Sequence, residues 1–156
     1  MDDQSLLFTS HISSLQETEN VARFLSFFLK KRDVLALKGD LGMGKTTFSR
    51  FLIQILSKEK CIVPSPTFTL VQTYETSQGT IYHFDAYRLN DPEEIIEIGL
   101  EDALEKGISL IEWPEKVESF LPPKRLTLDF HLSQNERQLF VYGDTTWKER
   151  LRKDTP

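Results

Sequence analysis

The sequence predicts a three-layer α/β fold with a central mixed, mostly parallel sheet and a C-terminal β-hairpin. Three observations indicate this fold. A glycine-rich loop lies between an apolar segment and an amphipathic helix, two later apolar segments each end in a carboxylate, and two alternating segments near the C-terminus flank a polar turn. Apolar strands that alternate with helical segments are typical of sheets covered by helices on both faces.

Length and composition favour a folded protein with one domain over residues 1–156. Hydrophobic residues make up 39% of the chain, which is enough to build a core. The formal charge of −5 disfavours direct binding to a nucleic-acid backbone, so we expect any contact with RNA to be indirect, through a partner. Cys61 is the only cysteine, which excludes an intrachain disulfide and a cysteine-based metal site.

The N-terminal residues carry no targeting signal that we recognise. Residues 1–4 are acidic and are not followed by the long apolar stretch of a signal peptide. No window approaches the roughly 18 apolar residues of a membrane-spanning helix. We therefore expect a cytoplasmic protein with no membrane contact.

An edge strand and a capped helix are predicted at the start of the chain. Residues 5–9 fit a short edge strand, and Ser14 and Glu17 have the spacing of a capping box at a helix start. The helix that follows has one apolar face, formed by Val21, Phe24, Leu25, Phe28 and Leu29.

Residues 39–46 read Gly-Asp-Leu-Gly-Met-Gly-Lys-Thr and fit the phosphate-binding P-loop pattern at every fixed position. The apolar residues 34–37 before the loop suit a buried strand. The helix after it has apolar residues at 48, 51, 52, 55 and 56. Gly39, Gly42 and Gly44 allow positive φ angles, which let backbone N–H groups turn inward around phosphate oxygens.

This loop predicts a site for a nucleotide and Mg²⁺. Lys45 is expected to reach the β- and γ-phosphates and the Thr46 hydroxyl to bind Mg²⁺. The positive end of the following helix also favours an anion. The residues that we expect to contact the nucleotide through this loop are Asp40, Leu41, Gly42, Met43, Gly44, Lys45, Thr46 and Thr47.

A stiff segment follows at residues 64–68, where two prolines stand one residue apart. A rigid loop of this kind could hold the Thr67 hydroxyl toward the γ-phosphate or Mg²⁺, as switch-region threonines do. The alternative is a plain turn at the entry to a strand.

Two strands end in an acid. Residues 70–74 and 80–84 predict a hairpin whose second strand runs into Asp85, and residues 108–111 form another apolar strand before Glu112. In P-loop proteins, a carboxylate at the end of such a strand binds Mg²⁺ or orients the attacking water. The residues alone leave open which acid performs which role.

The remaining segments predict helices and a second hairpin. Asp91 is expected to cap a helix that Gly99 interrupts. Residues 126–131 and 138–142 alternate around a turn and predict the C-terminal hairpin. Residues 147–152 predict a final short helix.

Four segments together resemble the bacterial TsaE (YjeE) family, the small ATPases of tRNA threonylcarbamoyladenosine biosynthesis. The resemblance covers most of the chain, from about residue 14 to residue 142, and the segments occur in the order of the family. They are residues 39–47, 65–68, 83–88 and 111–115.

The resemblance implies a P-loop NTPase fold and a role for each matched residue. Lys45 and Thr46 fall on the residues of the family that bind ATP and Mg²⁺. Thr67, Asp85 and Glu112 fall on its later motif residues. Our first hypothesis is therefore an ATPase with Lys45, Asp85 and Glu112 as catalytic residues, in which Thr46 and Glu112 hold Mg²⁺ and Asp85 assists the attacking water.

The resemblance also implies partners, TsaD and TsaB-like proteins, and weak ATPase activity without them. Met43 and Ala86 stand where the family commonly has alanine and leucine, which are mild departures. Two alternatives remain: a small nucleoside or nucleotide kinase, although no arginine-rich lid is visible, and a nucleotide-gated binding module without catalysis. We do not expect GTP specificity, because the sequence has no Asn-Lys-x-Asp segment.

Overall fold

A computed structural model describes residues 4–40, 42–57, 63 and 70–153. The strands are β1 (Ser5–His11), β2 (Val34–Lys38), β3 (Val71–Thr76), β4 (Gly79–Asp85), β5 (Ile108–Glu112), β6 (Leu126–Ser133) and β7 (Glu136–Gly143). The helices are α1 (Leu15–Ser26), α2 (Lys45–Leu56), α3 (Glu94–Glu97), α4 (Leu100–Lys106) and α5 (Thr145–Lys153). Two short 3₁₀ turns, Pro114–Lys116 and Glu118–Phe120, follow β5.

The strands form one sheet in the order β1-β7-β6-β2-β5-β4-β3. At its centre, β2 pairs in parallel with β5 and β6, and β5 pairs in parallel with β4. Antiparallel pairs join β1 to β7, β7 to β6 and β3 to β4. Five of the seven strands described therefore point the same way, which confirms the predicted mixed, mostly parallel sheet.

Helices cover both faces of the sheet because its central strands are apolar on both sides. Successive side chains of a strand point to opposite faces. In β2, Leu35 and Leu37 pack into a core that includes residues of α1, α2 and α5, whereas Val34 and Ala36 pack into a second core with residues of α3 and α4. This arrangement confirms the predicted three layers.

The first two elements form as predicted. Strand β1 lies at one edge of the sheet. At the start of α1, the Ser14 hydroxyl accepts a hydrogen bond from the Glu17 N–H at 3.1 Å, and the Glu17 carboxylate accepts one from the Ser14 N–H at 3.0 Å. Such a cap contributes about 1 kcal/mol to helix stability.

Two helix starts differ from the prediction. Helix α3 begins at Glu94, because the backbone carbonyl of Asp91 accepts from the Glu94 N–H at 3.0 Å and closes a turn before the helix. Helix α5 begins at Thr145, because the Asp144 carboxylate accepts from the Trp147 N–H at 3.0 Å. The break at Gly99 (φ +109°) and the C-terminal hairpin of β6 and β7 agree with the sequence.

Some predicted features lie outside the described residues, namely Leu41, Cys61 and the stiff segment 64–68 with Thr67. Among the residues that are described, none of the helices has both the length and the apolar character needed to cross a bilayer.

Candidate functional site

The loop between β2 and α2 is bounded by glycines in conformations that other residues rarely adopt. Gly39, Gly42 and Gly44 have φ angles of +139°, +80° and +111°. Gly44 is the N-cap of α2, which has neither a side-chain cap nor an acidic residue in its first turn. The first N–H groups of α2 are therefore not capped by a side chain, and an uncapped helix start of this kind suits an anion.

The space around these glycines fits a phosphate on one side of the loop. A Cβ atom on Gly39 would lie 2.7 Å from the carbonyl oxygen of Phe130 in β6, whereas a Cβ on Gly42 would meet nothing within 4 Å. The loop is thus pressed against the sheet at Gly39 and open at Gly42. Among the described residues, the open side at Gly42 leaves room for an anion.

Lys45, the first residue of α2, is buried with 4% of its surface exposed. Its Nζ donates to the Gly39 carbonyl at 2.5 Å and lies 3.5 Å from the centroid of the Trp113 ring. Trp113 has a φ of +61°, and its ring packs 4.9 Å from that of Tyr87. The lysine is therefore held between a carbonyl and an aromatic face.

Burial lowers the pKa of Lys45, because removal from water disfavours the charged ammonium group. The negative charges nearby oppose this shift. In decreasing order, they are those of Glu112, Glu115, Asp85 and Asp40. Four carboxylates thus act on this one cation.

Glu112, at the end of β5, connects the loop to the sheet. Its Oε1 accepts a hydrogen bond from the Thr46 hydroxyl at 3.0 Å, and its Oε2 lies 2.6 Å from Nε2 of His83 in β4. Only 3% of Glu112 and none of His83 is exposed. Both oxygens of this carboxylate are therefore engaged, one by α2 and the other by β4.

Asp85 lies beside Glu112, because the two residues are register partners in the parallel pair of β4 and β5. Its Oδ1 accepts from the Tyr87 N–H at 2.9 Å, and 5% of its surface is exposed. The structure therefore brings Lys45, Thr46, Asp85 and Glu112 to one edge of the sheet, and it is Glu112 that contacts Thr46.

The other loop residues differ in their surroundings. Asp40 is exposed, and its carbonyl accepts from the Met43 N–H at 3.3 Å. Met43, Gly44 and Thr47 line a cavity of about 150 Å³ together with Arg137 from β7 and residues just before and at the start of α1. The sequence did not single out Arg137, since the contact depends on how β7 folds back.

Sequence reasoning also missed the contacts of His83 and Trp113. The pattern offered one signal for His83, which stands two residues before Asp85 and so shares its face of an inner strand. The sequence carried no such signal for Trp113, since its ring reaches Lys45 through a left-handed backbone conformation.

The donor set fits magnesium bound together with a phosphate ligand. No cluster of three or more histidine, cysteine or acidic side chains able to hold a metal occurs in the part of the chain that the structure describes. The Thr46 hydroxyl and the Glu112 carboxylate supply oxygen, which Mg²⁺ prefers, and Mg²⁺ commonly takes its other ligands from water and phosphates. The residues present therefore suit such an ion.

Comparisons with known proteins identify the relatives of this chain. A profile described as "Threonylcarbamoyl adenosine biosynthesis protein TsaE" matches residues 12–139. The tRNA threonylcarbamoyladenosine biosynthesis protein TsaE of Rickettsia bellii is 43% identical over 128 residues, which cover 82% of this chain and 89% of that protein. The protein of the same name from Bacillus subtilis is 40% identical over 114 residues, which cover 72% of this chain and 70% of that protein.

A solved structure is also similar. The crystal structure of Bacillus subtilis YdiB matches with a TM-score of 0.78 and 29% sequence identity, and the match covers 99% of this chain and 95% of that one. The profile spans more than half of the chain, and the relatives exceed 30% identity over more than two thirds of it. This chain therefore belongs to the TsaE family of threonylcarbamoyl adenosine biosynthesis proteins.

Proposed function

We propose that this chain binds ATP with Mg²⁺ and hydrolyses the ATP to ADP and phosphate during the formation of threonylcarbamoyladenosine in tRNA. The observation that carries the proposal is the 3.0 Å hydrogen bond between Thr46 and Glu112 at the end of the glycine loop. In P-loop NTPases a loop hydroxyl and a carboxylate at a strand end hold Mg²⁺ together.

The loop would bind the triphosphate through its backbone and through Lys45. The first N–H groups of α2, which no side chain caps, would bind phosphate oxygens, and Lys45 would leave the Gly39 carbonyl for a phosphate oxygen. A charged phosphate forms a stronger hydrogen bond with an ammonium group than a neutral carbonyl does. The cavity beside Thr47 and Arg137 lies next to the loop and would take the nucleoside.

The two carboxylates would then have different roles. Thr46 and Glu112 would hold Mg²⁺, and the ion would supply positive charge that offsets the negative charge of the phosphates. Asp85 ends the neighbouring strand β4, is fixed by the Tyr87 N–H and would orient the attacking water. Lys45 would stabilise the charge on the phosphoryl group that is transferred, so catalysis would come from positioning and electrostatics.

Activity would be weak without partners, which we propose to be TsaD and TsaB-like proteins in the cytoplasm. Support comes from the relatives, which are named as proteins of tRNA threonylcarbamoyladenosine biosynthesis. Since this chain carries a net charge of −5, contact with the tRNA would be indirect, through those partners.

Calorimetry with MgATP tests the binding step. Lys45→Ala should weaken binding by on the order of 100-fold, because it removes a charge-assisted contact to the phosphates. Lys38→Ala is the matched control, since Lys38 ends β2 just before the loop and is expected to leave the affinity unchanged. Wild-type affinity in Lys45→Ala would contradict the proposal.

A reconstituted modification assay tests the hydrolysis step. With TsaB, TsaD and tRNA present, we expect ATP hydrolysis to rise above the rate of this chain alone and multiple turnovers to require it. Full multi-turnover modification with a non-hydrolysable ATP analogue would show instead that the nucleotide acts only as a gate. Transfer of phosphate to a nucleoside acceptor would identify a kinase.

A further inference from the structure

We propose that His83 is a positioning residue that fixes the Glu112 carboxylate for binding Mg²⁺. The inference rests on the proposed function, because it assigns Glu112 to the metal. In this role, His83 would touch neither the nucleotide nor the metal and would act through Glu112.

The hydrogen bonding of the His83 ring points to this role. Its Nε2 lies 2.6 Å from Oε2 of Glu112, and its Nδ1 is buried without a hydrogen-bond partner among the described residues. A carboxylate accepts hydrogen bonds and does not donate them, so the proton on Nε2 points at Glu112. Among the described residues, the hydrogen bond that the His83 ring forms is therefore the one to Glu112.

The placement of the two strands explains why His83 reaches this oxygen. In the parallel pair, Asp85 lies opposite Glu112 and His83 lies opposite Leu110, so the imidazole approaches the Glu112 side chain along the strand. The terminal torsion of a glutamate is broad and has no single preferred value. With Oε2 held by His83, Oε1 faces Thr46, which is the side of the proposed metal.

A role in packing alone does not account for a histidine here. Neighbouring positions of β4 are filled by Ile81 and Phe84, which are fully buried and carry no polar atoms. A buried nitrogen without a partner costs stability, and an apolar side chain of similar size would avoid that cost. The imidazole gains instead a hydrogen bond to one site carboxylate, the kind of outer contact that orients metal ligands.

The experiment compares His83→Gln with His83→Met, two variants of nearly the same length that differ in whether they carry a donor N–H. Affinity for ADP is measured by calorimetry, first in EDTA and then with Mg²⁺. His83→Phe is a second variant without a donor, and it keeps a ring. Ser109→Ala is the control, since Ser109 is buried in β5 and its Oγ has no hydrogen-bond partner among the described residues.

In His83→Met and His83→Phe, we expect the increase in ADP affinity that Mg²⁺ produces to be smaller than in the wild type by on the order of 10- to 100-fold. A loss of this size is typical when a metal ligand loses an outer hydrogen bond. Affinity in EDTA should not change, because the loop amides and Lys45 are untouched. His83→Gln should regain most of the loss, and Ser109→Ala should behave as wild type.

Three results would overturn the inference, and they can be told apart. Undiminished Mg²⁺-dependent affinity in His83→Met would refute it and leave the proposed function standing. Equal losses in His83→Gln and His83→Met would show that the shape of the ring matters and its hydrogen bond does not. If the wild type bound ADP no better with Mg²⁺ than in EDTA, the magnesium site of the proposed function would fail, and the inference with it.

Discussion

The two ends of β2 both carry buried charges, but the charges are satisfied in different ways. Before the strand, Asp33 accepts hydrogen bonds from Arg150 Nη1 at 2.6 Å and from the Lys30 N–H at 2.8 Å. Arg150 also donates to the Phe28 carbonyl at 3.2 Å and stacks on Trp147. This ion pair joins α5 to the start of β2, and its partners all belong to the chain.

After the strand, Lys45 contacts a carbonyl and an aromatic ring, and it has no ion pair within 4.0 Å among the described residues. Burial disfavours the charged form at both ends: it lowers the pKa of Lys45 and raises that of Asp33. At Asp33 the chain supplies a strong counter-charge in direct contact. At Lys45 it does not, which is the arrangement expected where a ligand brings that charge.

The strongest test of the difference between the two ends of β2 is to remove a carboxylate of the site. Glu112→Gln keeps the shape of the side chain and loses its charge, so we expect ATP hydrolysis to fall by on the order of 10³-fold. The free energy of unfolding should change by less than about 1 kcal/mol, because the substitution keeps the shape of the side chain. Steady-state hydrolysis and chemical denaturation measure the two effects.

The control is Glu115→Gln, an exposed acid that also acts on Lys45. It should keep at least a tenth of the wild-type rate. If Glu112→Gln retained activity within tenfold of wild type, Glu112 would have no part in the chemistry.

At the other end of β2, we expect a substitution to lower stability and to leave hydrolysis unaffected. Arg150→Met leaves Asp33 buried without its cation, so we expect a loss of about 3 kcal/mol in the free energy of unfolding. Hydrolysis below the melting temperature should be unaffected. Adding Asp33→Asn to this variant should restore much of the stability, because no uncompensated charge is then buried.

Denaturant titrations of the single and double variants measure this effect. Lys148→Met, at an exposed position on the same helix, serves as the control. Equal losses in Arg150→Met and in the double variant would mean that packing on Trp147, rather than the charge, explains the destabilisation.

Local patterns predicted those parts of the molecule that depend on neighbours in sequence. The loop at residues 39–46 follows from glycine spacing, and Asp85 and Glu112 were both candidates for the site because each ends an apolar strand. The sequence left open which acid meets Thr46. The structure brings Glu112 into that contact, and its role as a metal ligand stays a prediction.

Long-range pairs could not be predicted in this way. The contact of His83 with Glu112 depends on the register of β4 against β5, and that of Asp33 with Arg150 joins residues 117 apart in sequence. No periodicity encodes such distances, because they are set by how complete strands and helices pack. The contact of Lys45 with Trp113 depends on an unusual backbone angle and has no sequence pattern either.

Within the site itself, substitutions at two glycines of the loop are expected to affect stability and nucleotide binding differently. Gly39→Ala would place a methyl group 2.7 Å from the Phe130 carbonyl at a φ of +139°, so we expect a loss of about 2 kcal/mol in stability. Gly42→Ala meets no atom within 4 Å, and its strain at a φ of +80° should cost about 1 kcal/mol.

The effects of the two substitutions on nucleotide affinity should not follow the order of their effects on stability. The methyl group of Gly42→Ala would enter the open side of the loop, where the phosphates are expected, and weaken MgATP binding while most of the stability remains. Denaturation and calorimetry on both variants measure the two quantities. If Gly42→Ala bound MgATP as tightly as wild type, the open side would not be the phosphate site.

The smallest expected effect is the pH dependence of stability at Asp33. Burial raises the pKa of this carboxyl above its ordinary value of 3.8, and the hydrogen bonds from Arg150 and Lys30 only partly oppose the shift. As the pH rises past 3.8, the unfolded chain releases the proton while the folded chain still holds it, so the free energy of unfolding falls. The decline ends once the folded carboxyl has also ionised. The difference in unfolding free energy between wild type and Asp33→Asn, measured from pH 3 to pH 7, isolates this group, and a difference that increased with pH would mean that Arg150 outweighs burial.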